Sequence, residues 1–458
     1  MTKKNEAGSP VSRRQFLKQT GAVAGASALA VAATPGVHAA GSDEIRVVLI
    51  GCGGRGTGAA ANALSTTSGP IKLVAMADAY ADRLNSSYST LMGTGVAKKV
   101  DVPEDRKFIG FDAYRKAMDV LKPGDVAIFT TPLAFRWIHF GYAIDKKLNV
   151  FMEKPLTADG PTSKIMLQLA ADSVAKNLKV GVGLMSRHAR PLQELHERVT
   201  NGEIGDVILM RGYRMQGPVG TFESPPRPAN IPEMEYQIRR FHSFLWASGG
   251  CFNDFNIHHI DHLCWMKNAW PVKAQALGGR HYRGNNIDQN FDTYSVEYTF
   301  GDGTKLLFDG RCMDGAAGIY SSYVHGSKGT AIASRYADCG RPSSIYSGTA
   351  IDPAKMTWES KDNSDPYQNE WDELIQAIRQ DKPYNEAKRG VEASITCNMG
   401  RMAAHTGQEI TFEAALNSDQ RMAPGLEKLT VDSPPPLQAG PDGKYPVPMP
   451  GQKGLREY

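Results

Sequence analysis

The chain has 458 residues, of which 41% are hydrophobic and 22% are charged. These fractions are typical of soluble globular proteins and exclude a disordered, coiled-coil or collagen-like chain, and the length is sufficient for two domains. Residues 1–40 hold five of the 52 basic residues and one of the 48 acidic residues, so the rest of the chain carries no net formal charge. We therefore expect neither nucleic acid nor an anionic membrane surface as a partner.

The first 40 residues have the pattern of an export signal. Residues 12–18 read Ser-Arg-Arg-Gln-Phe-Leu-Lys, a weakly apolar stretch follows over 21–33, and 37–39 supply small residues for cleavage. This pattern resembles a twin-arginine signal, and a disordered basic leader is the alternative. The stretch is too short and too rich in glycine to remain as a membrane anchor. We expect a mature protein outside the cytoplasm, in the periplasm or beyond it.

Strand and helix patterns alternate over the next part of the chain. Apolar runs predict strands at 45–50, 71–76, 126–129, 149–152 and 180–183, and helical patterns lie between them at 59–64, 114–121, 135–147 and 163–175. Strands that alternate with helices of this length predict βαβ units and a doubly wound parallel sheet. We place this first domain at residues 41–165.

From about residue 205 the pattern changes to that of antiparallel strands. Residues 207–210 are strand-like, and the alternating segment 291–300 runs through Gly301-Asp302-Gly303 into 304–309, which predicts a β-hairpin. The fold class is therefore α/β, with a second, α+β domain at 166–417 that has a large open-faced, mainly antiparallel sheet. Helices near 370–405 are expected to pack back on the first domain. Residues 418–458, rich in proline, are expected to form an arm on the surface or on a neighbouring subunit.

The six cysteines are scattered and include no Cys-x-x-Cys pair. Export would permit disulfides, but the sequence alone cannot pair the cysteines. We expect most of them to be buried thiols.

A glycine-rich motif follows the first predicted strand. Residues 51–56 read Gly-Cys-Gly-Gly-Arg-Gly, which is a GxGxxG directly between a strand and a helix, and Asp78 ends the second strand. In a dinucleotide site Gly51 allows the tight turn, Gly53 lets the backbone approach a pyrophosphate, and Gly56 lets the helix lie close to the sheet. The phosphates then meet the N-terminus of the helix. A glycine-rich turn in an α/β fold that binds no nucleotide is the alternative.

Asp78 bears on the choice of cofactor. A carboxylate at this position accepts hydrogen bonds from the adenosine ribose and repels a 2′-phosphate, which favours NAD over NADP. Arg83, five residues further on, weakens this preference.

Two charged residues follow the strand at 149–152. Glu153-Lys154-Pro155 lies at the carboxyl end of a predicted parallel strand, the edge at which ligands bind in such sheets. The ammonium group of Lys154 can stabilise a developing negative charge on a substrate oxygen. The alternative is a surface lysine paired with Glu153.

The sequence resembles the glucose-fructose oxidoreductase, inositol dehydrogenase and rhizopine-catabolism (Gfo/Idh/MocA) family. The resemblance is carried by the glycine motif, by Thr130-Thr131-Pro132, by Glu153-Lys154-Pro155 and by a segment at 249–261 that matches the family's GG-x3-D-x3-H-x2-D. It implies a Rossmann domain, a second domain that often builds homo-oligomers, and hydride transfer between NAD(P) and a sugar or cyclitol.

The resemblance also implies site residues. Lys154, His258 and Asp254 match the family's catalytic residues, and Arg187 and Asp261 are tentative substrate contacts. The implied cofactor contacts are Gly51, Gly53, Gly54, Arg55, Gly56, Asp78, Thr131, Pro132, Glu153 and Lys154. If 253–265 is helical, Asp254, His258 and Asp261 share one face, so the acid could orient the imidazole as a base. One departure is Arg136, where many relatives carry a histidine.

The residues around His258 allow two other interpretations. His258 and His262 lie one helical turn apart and could bind a metal, but no HExxH or Cys/His framework accompanies them, and we assign no metal. They could also be ordinary hydrogen-bonded helix residues.

We interpret the chain as an exported NAD-dependent oxidoreductase that interconverts a secondary hydroxyl and a ketone on a sugar, glycoside or cyclitol, with a tightly held cofactor. One alternative is an NAD-dependent glycoside hydrolase or lyase that acts through a transient keto-sugar. The other is a non-catalytic carbohydrate-binding protein that retains NAD.

Overall fold

The computed structural model describes residues 43–281, 283–338, 342–430 and 432–458. The predicted export signal at 1–40 and Cys339 lie outside the described residues. Within the described ranges the chain forms a six-stranded and a nine-stranded sheet, which confirms the predicted α/β class. No helix in these ranges combines the length and the apolar character needed to cross a membrane.

The strands and helices are numbered in chain order. The strands are β1 Ile45–Ile50, β2 Ile71–Asp78, β3 Lys107–Ile109, β4 Val126–Phe129, β5 Asn149–Met152, β6 Val180–Val182, β7 Val207–Gln216, β8 Lys273–Gly279, β9 Thr293–Thr299, β10 Lys305–Cys312, β11 Ile319–Gly326, β12 Gly329–Arg335, β13 Ser344–Ser347, β14 Met356–Glu359 and β15 Ile410–Thr411. The α-helices are α1 Gly54–Ser65, α2 Ala81–Met92, α3 Ala113–Asp119, α4 Arg136–Asp145, α5 Gly160–Ala175, α6 Arg190–Thr200, α7 Glu233–Arg239, α8 Leu245–Ser248, α9 Gly250–Lys267, α10 Pro366–Arg379, α11 Ala387–Thr406 and α12 Phe412–Asn417.

The first sheet is parallel and has the order β3-β2-β1-β4-β5-β6. Every residue of β4 and β5 is buried, as expected for apolar runs covered by helices on both faces. The strand order reverses between β1 and β4, so their carboxyl ends leave a crevice between them. The sheet continues beyond residue 165, our predicted domain limit, because β6 pairs with β5.

The second sheet has the order β14-β13-β12-β11-β7-β10-β9-β8-β15. Its pairs are antiparallel except for β7 and β10, which run parallel. The predicted hairpin is β9–β10, with Tyr294, Val296 and Tyr298 buried on the inner face. The prediction of a mainly antiparallel second sheet is confirmed.

Two buried helices join the two sheets. Helix α11 contacts β8 and β9 of the large sheet and also helix α5, which belongs to the first half of the chain. Helix α9 packs against α11 and β7. Nearly every residue of both helices is buried. Helix α9 therefore lies where the two halves of the molecule meet, and it carries Asp254 and His258.

The proline-rich segment after residue 417 packs on its own chain. Met422, Leu426, Leu437 and Tyr445 are buried in a cluster with residues of α7 and α8. Near its end the carboxylate of Glu457 is buried against the Arg401 guanidinium, with distances of 2.8 and 2.9 Å, and lies 2.7 Å from Nδ1 of His405. Arg401 also donates to the carbonyls of Ala158 and Gly249. The arm therefore supplies the negative charge that a buried arginine between the two halves requires.

Replacing Glu457 with alanine is expected to destabilise the fold by about 3–5 kcal/mol, because it leaves the charge of Arg401 buried and unpaired. The free energy of unfolding, measured by urea titration, checks this. The matched control is Glu427→Ala. Glu427 is 42% exposed and its contact with Arg421 is long, at 3.9 Å, so this change should have little effect. Equal stabilities for the two variants would contradict the proposed role of Glu457.

Candidate active site

The glycine turn lies in the crevice at the end of β1. Gly51 has φ of +95°, and a Cβ there would lie 2.6 Å from the backbone nitrogen of Thr131. A Cβ on Gly56 would lie 2.1 Å from the carbonyl oxygen of Gly51. Both positions therefore require glycine, because α1 begins directly against the ends of β1 and β4, as the motif predicted.

The turn leaves space in front of the α1 N-terminus. A Cβ added to Gly53 or Gly54 would meet no atom within 4 Å. Gly53 is the N-cap of α1 and has no side chain that could accept hydrogen bonds from the first turn. Open space next to unpaired N–H donors and the positive end of a helix dipole fits a phosphate group. The turn therefore fits the pyrophosphate of a dinucleotide.

Asp78 lies beside this turn at the end of β2. Its Oδ2 accepts from the backbone N–H of Cys52 at 2.6 Å, and its Oδ1 accepts from that of Tyr80 at 3.0 Å. Burial raises the pKa of Asp78, although the two backbone donors and Arg83 oppose the rise. The carboxylate thus fixes the glycine turn and also lines the adjoining cavity.

A cavity of about 380 Å³ extends from the glycine turn. Its walls include the ends of β1, β2 and β4 with Thr131 and Pro132, and residues of the segment 220–242 from the second half of the chain. The cavity therefore lies at the reversal of strand order, where α/β sheets bind ligands.

Arg239 connects the two walls of the cavity. Its Nη1 and Nη2 each lie 2.9 Å from a carboxylate oxygen of Asp82, and its guanidinium lies 4.3 Å from the ring centre of Tyr80. A two-point arginine–carboxylate contact is geometrically specific. It holds helix α7 over the part of the cavity next to Asp78.

Lys154 makes the contact that joins β5 to helix α9. Its Nζ donates to the backbone carbonyl of Asp254 at 2.5 Å and lies 3.7 Å from the Asp254 carboxylate. Burial raises the pKa of Asp254, but the charge of Lys154 and the contact with His242 outweigh it, and the pKa is lowered to about 2. Asp254 is therefore ionised at neutral pH and stabilises the ammonium group of Lys154.

His242 was not predicted from the sequence. Its Nδ1 accepts from the backbone N–H of Thr221 at 3.2 Å, so a neutral ring carries its proton on Nε2, which lies 3.4 Å from the Asp254 carboxylate. His242 lines the cavity, whereas Lys154, Asp254 and His258 are absent from its lining. His242 thus connects the cavity to the three predicted catalytic residues. No motif surrounds it, and only its position seven residues before the glycine pair at the start of α9 marks it.

His258 is buried on the turn of α9 that follows Asp254. Burial lowers its pKa to about 3, with Asp338 opposing the shift and Lys154 adding to it, so the imidazole is neutral at pH 7. Its Nδ1 has no hydrogen-bond partner among the described residues. The sequence interpretation that Asp254 orients this ring is wrong, because the Asp254 carboxylate contacts Lys154 and His242. The acid whose charge acts most on His258 is Asp338.

Arg187 and Asp261, the tentative substrate contacts, bind each other. Nε and Nη2 of Arg187 donate to the two carboxylate oxygens of Asp261 at 2.8 and 2.7 Å, and Asp261 is fully buried. Both oxygens of Asp261 are occupied, and neither residue lines the cavity. The pair has the geometry of a buried structural ion pair.

Two further predicted features have structural partners. Glu153, an implied cofactor contact, is buried with its Oε1 2.8 Å from Nε of Arg55, which lies over the ring of Tyr367. Arg136, the departure from the family pattern, is buried and donates to the carbonyls of Phe129 and Thr131 at 2.8 and 3.0 Å. Arg136 thereby fixes the loop after β4 that forms one cavity wall.

The proposed metal alternative finds no support in the geometry. His262 is hydrogen-bonded through Nε2 to Ser322 at 2.8 Å. The part of the chain that the structure describes contains no cluster of three or more His, Cys, Asp or Glu side chains arranged for a metal ion.

Comparisons with known proteins agree with this fold. Residues 192–332 match the family model described as the GFO/IDH/MocA C-terminal domain. None of the curated proteins compared matches the chain. Similar solved structures include the aldose-aldose oxidoreductase of Caulobacter crescentus complexed with glycerol, with a TM-score of 0.62, 14% identity, and coverage of 80% of this chain and 99% of that one.

Two other solved structures are similar. A levoglucosan dehydrogenase in complex with NADH and levoglucosan has a TM-score of 0.62 and 14% identity, and covers 81% of this chain and 99% of its own. The myo-inositol 2-dehydrogenase of Lactobacillus plantarum has a TM-score of 0.57 and 20% identity, and covers 80% and 99%. At these identities the likeness establishes a shared two-domain fold.

The depressed pKa of His258 predicts a pH-dependent stability. Between pH 6.5 and about 3 the unfolded chain binds a proton at this residue and the folded chain does not, so lowering the pH destabilises the fold. As the pH is lowered through this window, we expect the free energy of unfolding of the wild type to decrease relative to that of His258→Asn, by at most about 1.4 kcal/mol per pH unit. Urea unfolding of both proteins at several pH values between 6.5 and 4.5 measures this difference. A difference in unfolding free energy that does not change with pH would contradict the depressed pKa of His258.

Proposed function

We propose that the protein is an NAD-dependent oxidoreductase that interconverts a secondary hydroxyl and a ketone on a sugar, glycoside or cyclitol. The observation that carries the proposal is the contact of Lys154 with the Asp254 turn of α9, next to a cavity that begins at a glycine turn fit for a pyrophosphate. The similar structures act on polyhydroxylated rings by their printed names, which supports the same substrate class here.

The cofactor, when bound, supplies a nicotinamide that accepts or gives a hydride. On the side of the protein, the backbone N–H groups of Gly54 and Arg55 hold the pyrophosphate, and Asp78 accepts from the adenosine ribose. Because Asp78 is a carboxylate in a partly closed cavity, it disfavours a 2′-phosphate, so we propose NAD rather than NADP.

The remaining roles belong to Lys154, Asp254 and His258. The ammonium of Lys154 stabilises negative charge on the substrate oxygen, and the ionised carboxylate of Asp254 keeps that ammonium in place. His258 is neutral, and its Nδ1 has no partner among the residues that the structure describes, so it can take the proton from the substrate hydroxyl. The ring of His242 positions Asp254 from the cavity side.

The proposal includes export through the twin-arginine route and a cofactor that stays bound through the catalytic cycle. The Arg239 contacts with Asp82 and Tyr80 support retention, because they must open before a nucleotide can leave past helix α7. The proposal also includes a homo-oligomer joined through the open face of the nine-stranded sheet, where Leu277 and Leu307 are exposed.

We expect the purified protein to release NAD on denaturation, in near-equimolar amount, as measured by mass spectrometry. Gly53→Val should lose it, because the new side chain fills open space at the α1 N-terminus without a clash in the protein. Gly95→Val is the matched control, since a Cβ there also meets no atom within 4 Å. The expected result is loss of NAD from Gly53→Val alone, with equal thermal stabilities of the two variants once NAD has been removed from both, because bound NAD itself stabilises the folded chain. Retention of NAD by Gly53→Val would contradict the cofactor assignment.

Lys154→Ala and His258→Ala are each expected to reduce turnover at least about 100-fold, because they remove a charge-stabilising group and a base. Turnover is followed with a panel of sugars and cyclitols by the near-ultraviolet absorbance of reduced nicotinamide. Lys146→Ala is the control, since Lys146 pairs with Asp119 on the surface.

The same panel tests the two alternatives. Net release of nitrophenol from a nitrophenyl glycoside without added oxidant would favour the hydrolase or lyase. If the wild type shows no turnover, and Lys154→Ala and His258→Ala bind the carbohydrate as well as the wild type does, the non-catalytic carbohydrate-binding protein would be favoured.

A further inference from the structure

Two cysteines meet in a small apolar cluster beside the candidate site. Sγ of Cys251 lies 3.0 Å from Sγ of Cys312, and both side chains are buried with Phe222 and Phe255. Cys251 is in the first turn of α9, and Cys312 is the last residue of β10. Both are thiols in this structure. A disulfide has an S–S distance of about 2.05 Å, so closing the bond requires a movement of about 1 Å.

The backbone around the pair already holds the two segments together. The N–H of Cys251 donates to the side chain of Asn290 at 3.0 Å, and the N–H of Cys312 donates to the carbonyl of Asp292 at 2.8 Å. Gly310, two residues before Cys312, lies so close to α9 that a Cβ there would be 2.6 Å from the Asn256 side chain. The bond can therefore form by side-chain rotation, without separating α9 from the sheet.

We propose that Cys251 and Cys312 are a site of disulfide formation that closes when the protein meets an oxidising thiol–disulfide pool. The pair stands apart from the other described cysteines. Sγ of Cys52 instead points to the carbonyl of Ala77 at 3.4 Å. The bond covalently fixes the first turn of α9, three residues before Asp254, to the end of β10.

The reaction is a thiol–disulfide exchange in two steps. One thiol loses its proton and attacks a small-molecule disulfide, which releases one thiol and leaves a mixed disulfide on the protein. The second thiolate then displaces the other half of the oxidant. In sum two protein thiols lose two electrons and two protons, and the oxidant is reduced to two thiols.

The surroundings determine how fast this happens. Burial raises the pKa of the Cys251 thiol, Cys312 adds to the rise, and the nearby cation Arg214 opposes it. A neutral buried thiol reacts slowly, because the thiolate is the nucleophile. The bond therefore forms slowly, because the two thiols are buried against Phe222 and Phe255 and are mostly protonated.

The test uses the purified full chain, incubated overnight at mildly alkaline pH with oxidised glutathione or with dithiothreitol. The samples are then denatured, alkylated and digested. We expect fragmentation mass spectra of the oxidised sample to show residues 251 and 312 joined, two hydrogens lighter than the separate peptides. Cys312→Ser should lack this species and Cys397→Ala should retain it.

A second measurement shows whether the bond forms in the native geometry. Because a cross-link between residues 61 apart in sequence restricts the unfolded chain, oxidation should raise the Tm of the wild type by several degrees and leave that of Cys312→Ser unchanged. Recovery of both cysteines as alkylated thiols after oxidation would overturn the proposal. A bond from either cysteine to a different partner, or a lowered Tm, would overturn it as well.

Discussion

The contact between Lys154 and the Asp254 turn of α9 is the interaction on which the site depends. Lys154 follows the last residues of a buried strand, and its ammonium is only partly exposed, so it needs a partner of opposite charge. That partner comes from the other half of the molecule. The contact therefore sets the distance between the two sheets, and with it the position of His258 relative to the glycine turn.

Buried polar groups around this contact are satisfied from several distant parts of the chain. Asn253, next to Asp254, donates to the carbonyl of Thr157 and to Asn398 of α11 at 3.2 and 2.7 Å. Arg401, on the same helix as Asn398, holds Ala158 and Gly249. Because each of these groups would be costly to leave unpaired, they fix the relative position of the segments that carry Lys154 and Asp254.

The sequence predicted the parts of this protein that rest on strong local patterns. The buried strands β1, β4 and β5 are mostly apolar runs, and the glycine turn has a strand before it and a helix after it. Three helix starts were placed too late, since α1 begins at Gly54 and not at 59. For the other two the signals were present: Asp159 caps α5, and Asp365-Pro366 begins α10. Strands β13 and β14 have only four residues each, and β11 and β12 are interrupted by serine and glycine, so these four strands carry little apolar signal.

The partners of the site residues could not be predicted in the same way. Helical spacing placed Asp254 and His258 on one face of the helix. It could not show that the carboxylate of Asp254 contacts Lys154 and His242. Likewise Arg187 and Asp261 are 74 residues apart in sequence, and only the folded chain reveals that each is the other's partner. Pairings of this kind depend on long-range packing, which periodicity does not record.

The burial of Glu457 has a consequence for how the protein matures. Translation proceeds from the N-terminus, so the guanidinium that spans Ala158 and Gly249 lacks its counter-charge until residue 457 has been synthesised and has left the ribosome. The two halves can acquire their secondary structure earlier during synthesis, but their final docking waits for residue 457, which comes more than 50 residues after Arg401. A change that removes residue 457 or prevents its burial therefore acts directly on the assembly of the interior.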